Sequence, residues 1–187
     1  MLPTRQENNE VLYGEEPIIK VTSNDIQWLK NKAGQNERKR IRLCAHRGID
    51  DLVHEMLIIH ARDTFIRPHK HLGKPESFHI VEGMADVILF DDDGCVNHVI
   101  RMGKYETGLV FYYRISMPVY HTLLIHSDVL VFHEITSGPF NHKDAVFAPW
   151  APDEDDKEAH QSYLSYLSSQ ADSYRIQSRE MKNFEKI

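Results

Sequence analysis

The order of apolar and polar residues along the chain predicts a helix near the N-terminus and strands after it. Residues 1–17 are mostly polar, and we expect this segment to be extended or loose. In the next segment, apolar residues recur every three to four positions, which is typical of a short helix. These residues are Ile26, Leu29 and Ala33. We expect the helix to begin with a capping box between Asn24 and Gln27 and to end near Gly34.

From Ile41 onward, short apolar segments separated by turn residues predict a series of β-strands. Residues 91–94, three aspartates and a glycine, are typical of a hairpin turn. The predicted strands are 52–61, 87–90, 96–100, 109–115, 122–125 and 129–135. So many short strands at this spacing indicate a β-sandwich or barrel.

The C-terminal segment changes back to a helical pattern. Residues 153–187 contain neither glycine nor proline, and apolar or aromatic residues recur there at helical spacing. The members of this stripe are Ala159, Tyr163, Leu167 and Tyr174. We predict a helix that packs on the barrel or on a second subunit. The chain therefore divides into an N-terminal extension with a short helix (1–37), a barrel (38–152) and a helical tail (153–187).

Composition and charge argue against several classes of protein. A formal net charge of −6 and a pI near 6.0 disfavour binding to nucleic acid or to an anionic membrane. Cys44 and Cys95 form neither a CxxC pair nor a disulfide framework, which favours a cytoplasmic location. No segment has the apolar length of a signal peptide or a membrane span, so we expect neither.

Candidate metal ligands cluster in residues 67–76, with the sequence RPHKHLGKPE. His69 and His71 are two residues apart, so on a strand both imidazoles point to the same face. The turn 72–75 follows, and Glu76 opens the next strand, which lets its carboxylate reach the imidazoles if the two strands pair. His121, far along the chain, is the predicted fourth ligand. This donor set suits one divalent transition metal, with iron, manganese, zinc and nickel as the alternatives.

Strand alternation sorts the residues around these ligands. His79 lies on the opposite face of its strand from Glu76, so we do not expect it to bind the metal. Arg67 shares the face of His69. Its guanidinium is predicted either to bind an anionic substrate group or to form a structural ion pair with an acidic residue.

Alternation also leaves two pairs of neighbours open. Tyr112 and Tyr113 point to opposite faces of one strand, so only one of them enters the barrel, and we assign Tyr113 to substrate binding. His133 and Glu134 likewise point in opposite directions, and the sequence does not say which of the two lies inside.

The ligand spacing resembles a known family. His-x-His, four residues, Glu, six residues and Gly83 is similar to the first motif of the cupin superfamily, and His121 stands where the single histidine of its second motif lies. The second motif departs from the pattern Pro-x-Gly-x-x-His, because residues 116–121 read SMPVYH. Over residues 38–152 the chain resembles WbuC-type cupin-fold metalloproteins. The segments that carry this narrower resemblance are 90–94, 133–135, 138–140 and 147–152.

The resemblance implies an all-β core, the double-stranded β-helix or jelly-roll barrel of cupins, with a helix before it and one after. It also implies an association with surface-polysaccharide (O-antigen-like) biosynthesis and a homodimer, for which we expect residues 41–61 to supply a barrel edge. Two functions stay open. The first is a metal-dependent enzyme, an isomerase, epimerase or dioxygenase, acting on a small polar, sugar-derived or anionic substrate. The second is a ligand-binding or regulatory cupin with a structural metal.

Overall fold

The computed structural model describes residues 2–184 and shows two β-sheets with a helix at each end of the chain. The strands are Thr4–Gln6 (β1), Val11–Gly14 (β2), Arg40–Cys44 (β3), Val53–Ala61 (β4), His69–His71 (β5), Glu76–Glu82 (β6), Met84–Phe90 (β7), Val96–Gly103 (β8), Tyr112–Ile115 (β9), Tyr120–Ile125 (β10), Val129–Ser137 (β11) and Ala145–Phe147 (β12). The helices are Ser23–Gln35 (α1) and Lys157–Phe184 (α2), with short 3-10 helices at Tyr105–Thr107 and His142–Asp144. Residue 1 of the predicted extension and residues 185–187 of the predicted tail lie outside the described residues.

The strands form a sandwich of two sheets. One sheet has the order β1-β2-β3-β4-β11-β6-β9, and the other has the order β12-β5-β10-β7-β8. Every pairing is antiparallel except that of β2 with β3 and an isolated bridge between Met102 and Val110. This architecture confirms the predicted all-β core with one helix before it and one after it.

Apolar side chains from both sheets fill the space between them. Phe132 on β11 is 1% exposed and stacks on Phe78 of β6, with ring centroids 4.8 Å apart. Phe78 also stacks on Tyr113 at 5.1 Å. Full burial of a side chain of this size contributes about 1.5–3 kcal/mol. The core therefore lies directly beneath the strands that carry the candidate ligands.

Helix α1 covers the outer face of the larger sheet, and its N-cap, Thr22, lies two residues before the predicted cap, Asn24. The capping box joins Thr22 and Asp25, and not Asn24 and Gln27 as the sequence suggested. The Asp25 carboxylate accepts hydrogen bonds from the Thr22 hydroxyl (2.6 Å), the Thr22 amide (2.9 Å) and the Leu2 amide (2.9 Å), which lower the pKa of Asp25 to about 2. The bond to Leu2 crosses 23 residues, so no local pattern contained it.

The N-terminal segment contains two extended strands, so the structure shows the first of the two alternatives, extended or loose, that were expected for residues 1–17. Strands β1 and β2 form a hairpin, and β2 pairs in parallel with β3. Leu12 is only 2% exposed because it packs beneath α1. As a consequence, β3 and β4 lie inside the sheet, and the expectation that residues 41–61 form a barrel edge is wrong.

Helix α2 packs on the smaller sheet, which is the first of the two alternatives that the sequence left open. Leu167 and Ala171 are fully buried against that sheet. A polar contact accompanies this apolar one, because Arg175 donates to the buried carboxylate of Asp86 at 2.7 Å, and the Nε2 atom of His126 lies 2.8 Å from the same oxygen. Sequence reasoning missed this cluster, whose members come from three separate elements.

No helix within residues 2–184 combines the length and apolar character that crossing a membrane requires.

Candidate metal centre

The structure brings together all four residues that the sequence singled out as metal ligands. His69 and His71 lie on β5, Glu76 opens β6, and His121 lies on β10 directly opposite His69. One potential ligand atom from each residue lies within 4.8 Å of the other three. The turn that joins β5 to β6 contains Gly73 at a φ of +69°, a conformation that glycine adopts without strain.

The carboxylate of Glu76 lies between two of the imidazoles. Its Oε2 atom is 3.0 Å from Nε2 of His71, and its Oε1 atom is 3.3 Å from Nε2 of His121. The ring centroid of His69 lies 4.7 Å from that of His121 and 5.0 Å from that of His71. Glu76 and His121 are buried, and the other two histidines are partly exposed, so the cluster opens towards one end of the barrel.

Backbone carbonyls orient two of the histidine rings. Nδ1 of His69 lies 2.9 Å from the Arg67 carbonyl oxygen, and Nδ1 of His121 lies 3.0 Å from the Val119 carbonyl oxygen. A carbonyl only accepts, so both Nδ1 atoms carry the hydrogen and each Nε2 presents a lone pair. Nε2 of His121 is buried and makes no hydrogen bond of good geometry. This tautomer and an unpartnered buried nitrogen are what a metal-binding imidazole requires.

The protonation behaviour of the cluster also fits a metal site. Burial, aided by the neighbouring His121, lowers the pKa of His69 to about 3, so His69 is neutral at physiological pH. Burial opposes ionisation of Glu76, but the neighbouring imidazoles of His121 and His71 outweigh it and hold the pKa of Glu76 below its usual range. Burial likewise opposes a charge on His121, whereas the Glu76 carboxylate raises its pKa. A bound cation would therefore compete with the proton on His121.

Tyr113 faces the cluster, and Tyr112 does not. The Tyr113 hydroxyl donates to Oε1 of Glu76 at 3.4 Å, whereas Tyr112 is half-exposed on the outer face. Burial raises the pKa of Tyr113 well above its usual value, and the charge of Glu76 adds to this. Tyr113 is therefore neutral and serves as a hydrogen-bond donor to a candidate ligand. Its predicted contact with a substrate stays a prediction.

The structure also decides between His133 and Glu134. Glu134 lies opposite Met56 and Phe78, which both belong to the core between the sheets, so its carboxyl faces inward. Burial and the negative charge of Glu76 raise the pKa of Glu134. His133 lies opposite His79 on the outer face, which agrees with the exclusion of His79 from the ligand set.

Arg67 forms the structural pair that the sequence left as one alternative. Its guanidinium makes an ion pair with Asp153, donates to the Ala148 carbonyl at 3.2 Å and lies 5.3 Å from the centre of the Phe147 ring. Phe147 in turn lies 6.0 Å from the ring of His69. Arg67 thus holds the segment after β11 against β5, and its predicted role in binding an anionic substrate stays a prediction.

The sequence did not predict one pair of histidines whose side chains face inward. His46 and His54 are buried and stack on each other at 4.1 Å with nearly parallel rings. His54, Met56 and Ile58 alternate inward along β4, and this alternation is the signal that places His54 inside the barrel.

Comparisons with known proteins support the fold. A family model described as a domain of unknown function (DUF6016) matches residues 21–102, a range that contains His69, His71 and Glu76 and ends before His121. No curated protein matches the chain. The protein SO0799 from Shewanella oneidensis has 9% sequence identity and a TM-score of 0.51, with 69% of this chain and 85% of that chain covered. This likeness confirms the two-sheet, cupin-like sandwich.

Two other solved structures are similar over shorter stretches. A mutant of oxalate decarboxylase from Bacillus subtilis has 14% identity and a TM-score of 0.43, with 53% of this chain covered. The 11S globulin procruciferin from Brassica napus has 11% identity and a TM-score of 0.39, with 50% of this chain covered. The chain spans about a quarter of the length of either protein (25% and 22%). The narrower resemblance to WbuC-type proteins stays a prediction.

Proposed function

We propose that this protein binds one divalent transition metal through His69, His71, Glu76 and His121 and uses it to act on, or to bind, a small molecule. The observation that carries this proposal is the meeting of four ligand atoms within 4.8 Å. Two of the imidazoles are already held in the metal-binding tautomer by backbone carbonyls. Three neutral nitrogens and one carboxylate oxygen suit iron, manganese, zinc or nickel better than calcium or magnesium.

The chemistry at the site follows from this donor set. A metal held by four protein ligands keeps one or two coordination positions and supplies Lewis-acid polarisation of a carbonyl or hydroxyl, or activation of water or dioxygen. The surrounding residues position the ligands. Tyr113 holds the carboxylate of Glu76, and the Arg67 and Val119 carbonyls fix the rings of His69 and His121. A polar, sugar-derived or anionic substrate in surface-polysaccharide biosynthesis and a cytoplasmic location remain part of the proposal, supported by the resemblance and by the cysteine pattern.

Metal analysis tests the proposal directly. Protein purified without chelators is expected to contain roughly one transition metal ion per chain by mass spectrometry of the elements. Cobalt-loaded protein should then change its visible spectrum when azide is added, because azide occupies an open coordination position. A bound metal with no response to azide would favour the second function, a binding or regulatory protein with a structural metal whose shell is closed. Protein that takes up no metal even after reconstitution would contradict both.

A homodimer is also part of the proposal. Strands β1 and β9 end the larger sheet and β12 ends one side of the smaller sheet, and none of them pairs on its outer side in the described part of the chain. Strand β8 ends the other side of the smaller sheet, and only the bridge between Met102 and Val110 lies on its outer side. Exposed strand edges are usually paired or covered in native proteins. We expect light scattering at micromolar concentration to give twice the mass of the 21.8 kDa chain. A mass equal to one chain would refute the dimer.

A further inference from the structure

Exposed apolar side chains gather at the end of the barrel where the candidate metal centre opens. We name this group the apolar rim. Its members are Ile49, Leu52, Leu72, Met117 and Phe140, which are 46–76% exposed. Soluble proteins seldom expose contiguous apolar surface of this kind unless it binds something.

The strand register shows that the rim and the metal ligands lie at the same end. Glu76 pairs with Thr136 near the end of β11 and with Ile115 at the end of β9. The next loops are therefore 138–144, which carries Phe140, and 116–119, which carries Met117. The turn that joins His71 to Glu76 carries Leu72. All of these loops border the same opening.

Backbone hydrogen bonds order the rim. The Phe140 amide donates to the Ile49 carbonyl at 2.7 Å, and the Gly138 amide donates to the Leu52 carbonyl at 2.9 Å. The Leu72 amide donates to the Asp144 carbonyl at 2.7 Å. These bonds tie three loops together, so the apolar side chains stand on a fixed frame.

The charged residues around the opening limit the kind of molecule that can bind to the apolar rim. Arg67 is paired with Asp153, and Lys74 lies 2.8 Å from Asp144, so these two cations of the opening are already neutralised. The loop 46–52 carries one arginine and two aspartates and thus has a net charge of −1 when His46 is neutral. An anionic lipid surface is disfavoured by this charge and by the −6 of the whole chain. A small molecule that reaches the metal is favoured, because the loops that carry the rim follow the strands that carry the metal ligands at the same end of the barrel.

We propose that the ligand of the metal centre is amphipathic: its polar group binds the metal, and an alkyl or acyl chain lies on the apolar rim. This inference rests on the proposed metal site and adds the apolar part of the ligand to it. The polar group accounts for the open coordination position, and the chain accounts for the exposed apolar residues around the opening.

A series of straight-chain alkyl hydroxamates tests the inference, because the hydroxamate group chelates a metal and the chain length varies independently. Metal-loaded protein should bind acetohydroxamate weakly, and each added methylene that packs on the rim should raise the affinity by up to about fourfold. In the Leu52→Ser, Phe140→Ser double variant, affinity should no longer increase with the length of the alkyl chain, and acetohydroxamate binding should be unchanged. The matched control, Tyr105→Ser with Val110→Ser, removes two exposed apolar side chains at the opposite end of the barrel and should keep the dependence.

Each other outcome is decisive. If acetohydroxamate binds but longer chains bind no better, the amphipathic ligand is wrong and the metal site stands. If metal-loaded protein binds no hydroxamate, the open coordination position is wrong and the inference fails with it. If the Leu52→Ser, Phe140→Ser variant loses the dependence on alkyl-chain length and also changes from dimer to monomer, the rim joins two copies of the protein. The affinity of the wild-type protein for hydroxamates could also be independent of alkyl-chain length while the protein binds phosphatidylglycerol vesicles. If the Leu52→Ser, Phe140→Ser variant then loses vesicle binding, the rim binds a membrane surface instead.

Discussion

Replacing His69 and His71 together by alanine is expected to reduce the metal content from roughly one ion per chain to less than about a tenth of that, as measured by elemental mass spectrometry after reconstitution. The change removes two of the four ligand atoms that lie within 4.8 Å of one another. Glu76 and His121 alone do not hold a transition metal at stoichiometric occupancy, because two ligand atoms neither complete the coordination geometry of the ion nor balance its charge.

A matched control comes from the outer face of the same barrel. His79 and His133 lie directly opposite each other across β6 and β11, so His79→Ala with His133→Ala removes the same number of imidazoles and leaves the cluster intact. This control should retain its metal. Stoichiometric metal in the His69→Ala, His71→Ala protein, or equal loss in both double variants, would refute the ligand assignment.

Removal of the metal with a chelator is expected to lower the thermal midpoint substantially and to leave the β-structure in place. A ligand that binds only the native state contributes about 4 kcal/mol when its concentration is a thousand times its dissociation constant. For a chain of this size each kcal/mol shifts the midpoint by about 2–4 °C, so we expect a decrease of about 8–16 °C. Circular dichroism during a thermal scan, with and without chelator, measures both quantities.

The structure explains why the fold should survive. Leu130 and Phe132 of β11 are buried between the sheets, and α2 closes the smaller sheet through Leu167, all without contribution from the ligand cluster. Zinc-finger domains unfold without metal because they lack such a core. The His69→Ala, His71→Ala variant is the control and should show no shift on chelation. Complete loss of strand signal in chelated wild-type protein would contradict the prediction.

Several parts of the architecture were predictable because their signals are local. Short apolar segments bounded by turn residues, among them β4 and β11, and the acidic turn between β7 and β8 predicted strands within a few residues of the observed bounds. Helix α2 followed from an uninterrupted helical stripe. Three of the four candidate ligands belong to the same class, because His69, His71 and Glu76 lie within eight residues and a single turn brings them together.

Other features depend on partners far along the chain, and there the local pattern misled. Residues 1–17 are mostly polar and gave no local signal of a buried strand. Val11, Leu12 and Tyr13 are nevertheless buried, because β2 pairs with β3. The capping box at Thr22 is held by the amide of Leu2. Arg67 pairs with Asp153, which lies 86 residues away, so the local sequence did not identify this partner.

The sequence by itself determined the alternation of faces, the positions of the turns and three residues of the candidate metal centre, His69, His71 and Glu76, because each depends on the geometry of neighbouring residues. The fourth, His121, came from the resemblance to the second cupin motif. The sequence placed Tyr112 and Tyr113, and His133 and Glu134, on opposite faces but did not say which face is inside. Only the tertiary structure decided that, because the inner face is defined by the second sheet, whose strands come from distant parts of the chain. The same holds for the apolar rim, which exists only where loops from four separate connections meet at one end of the barrel.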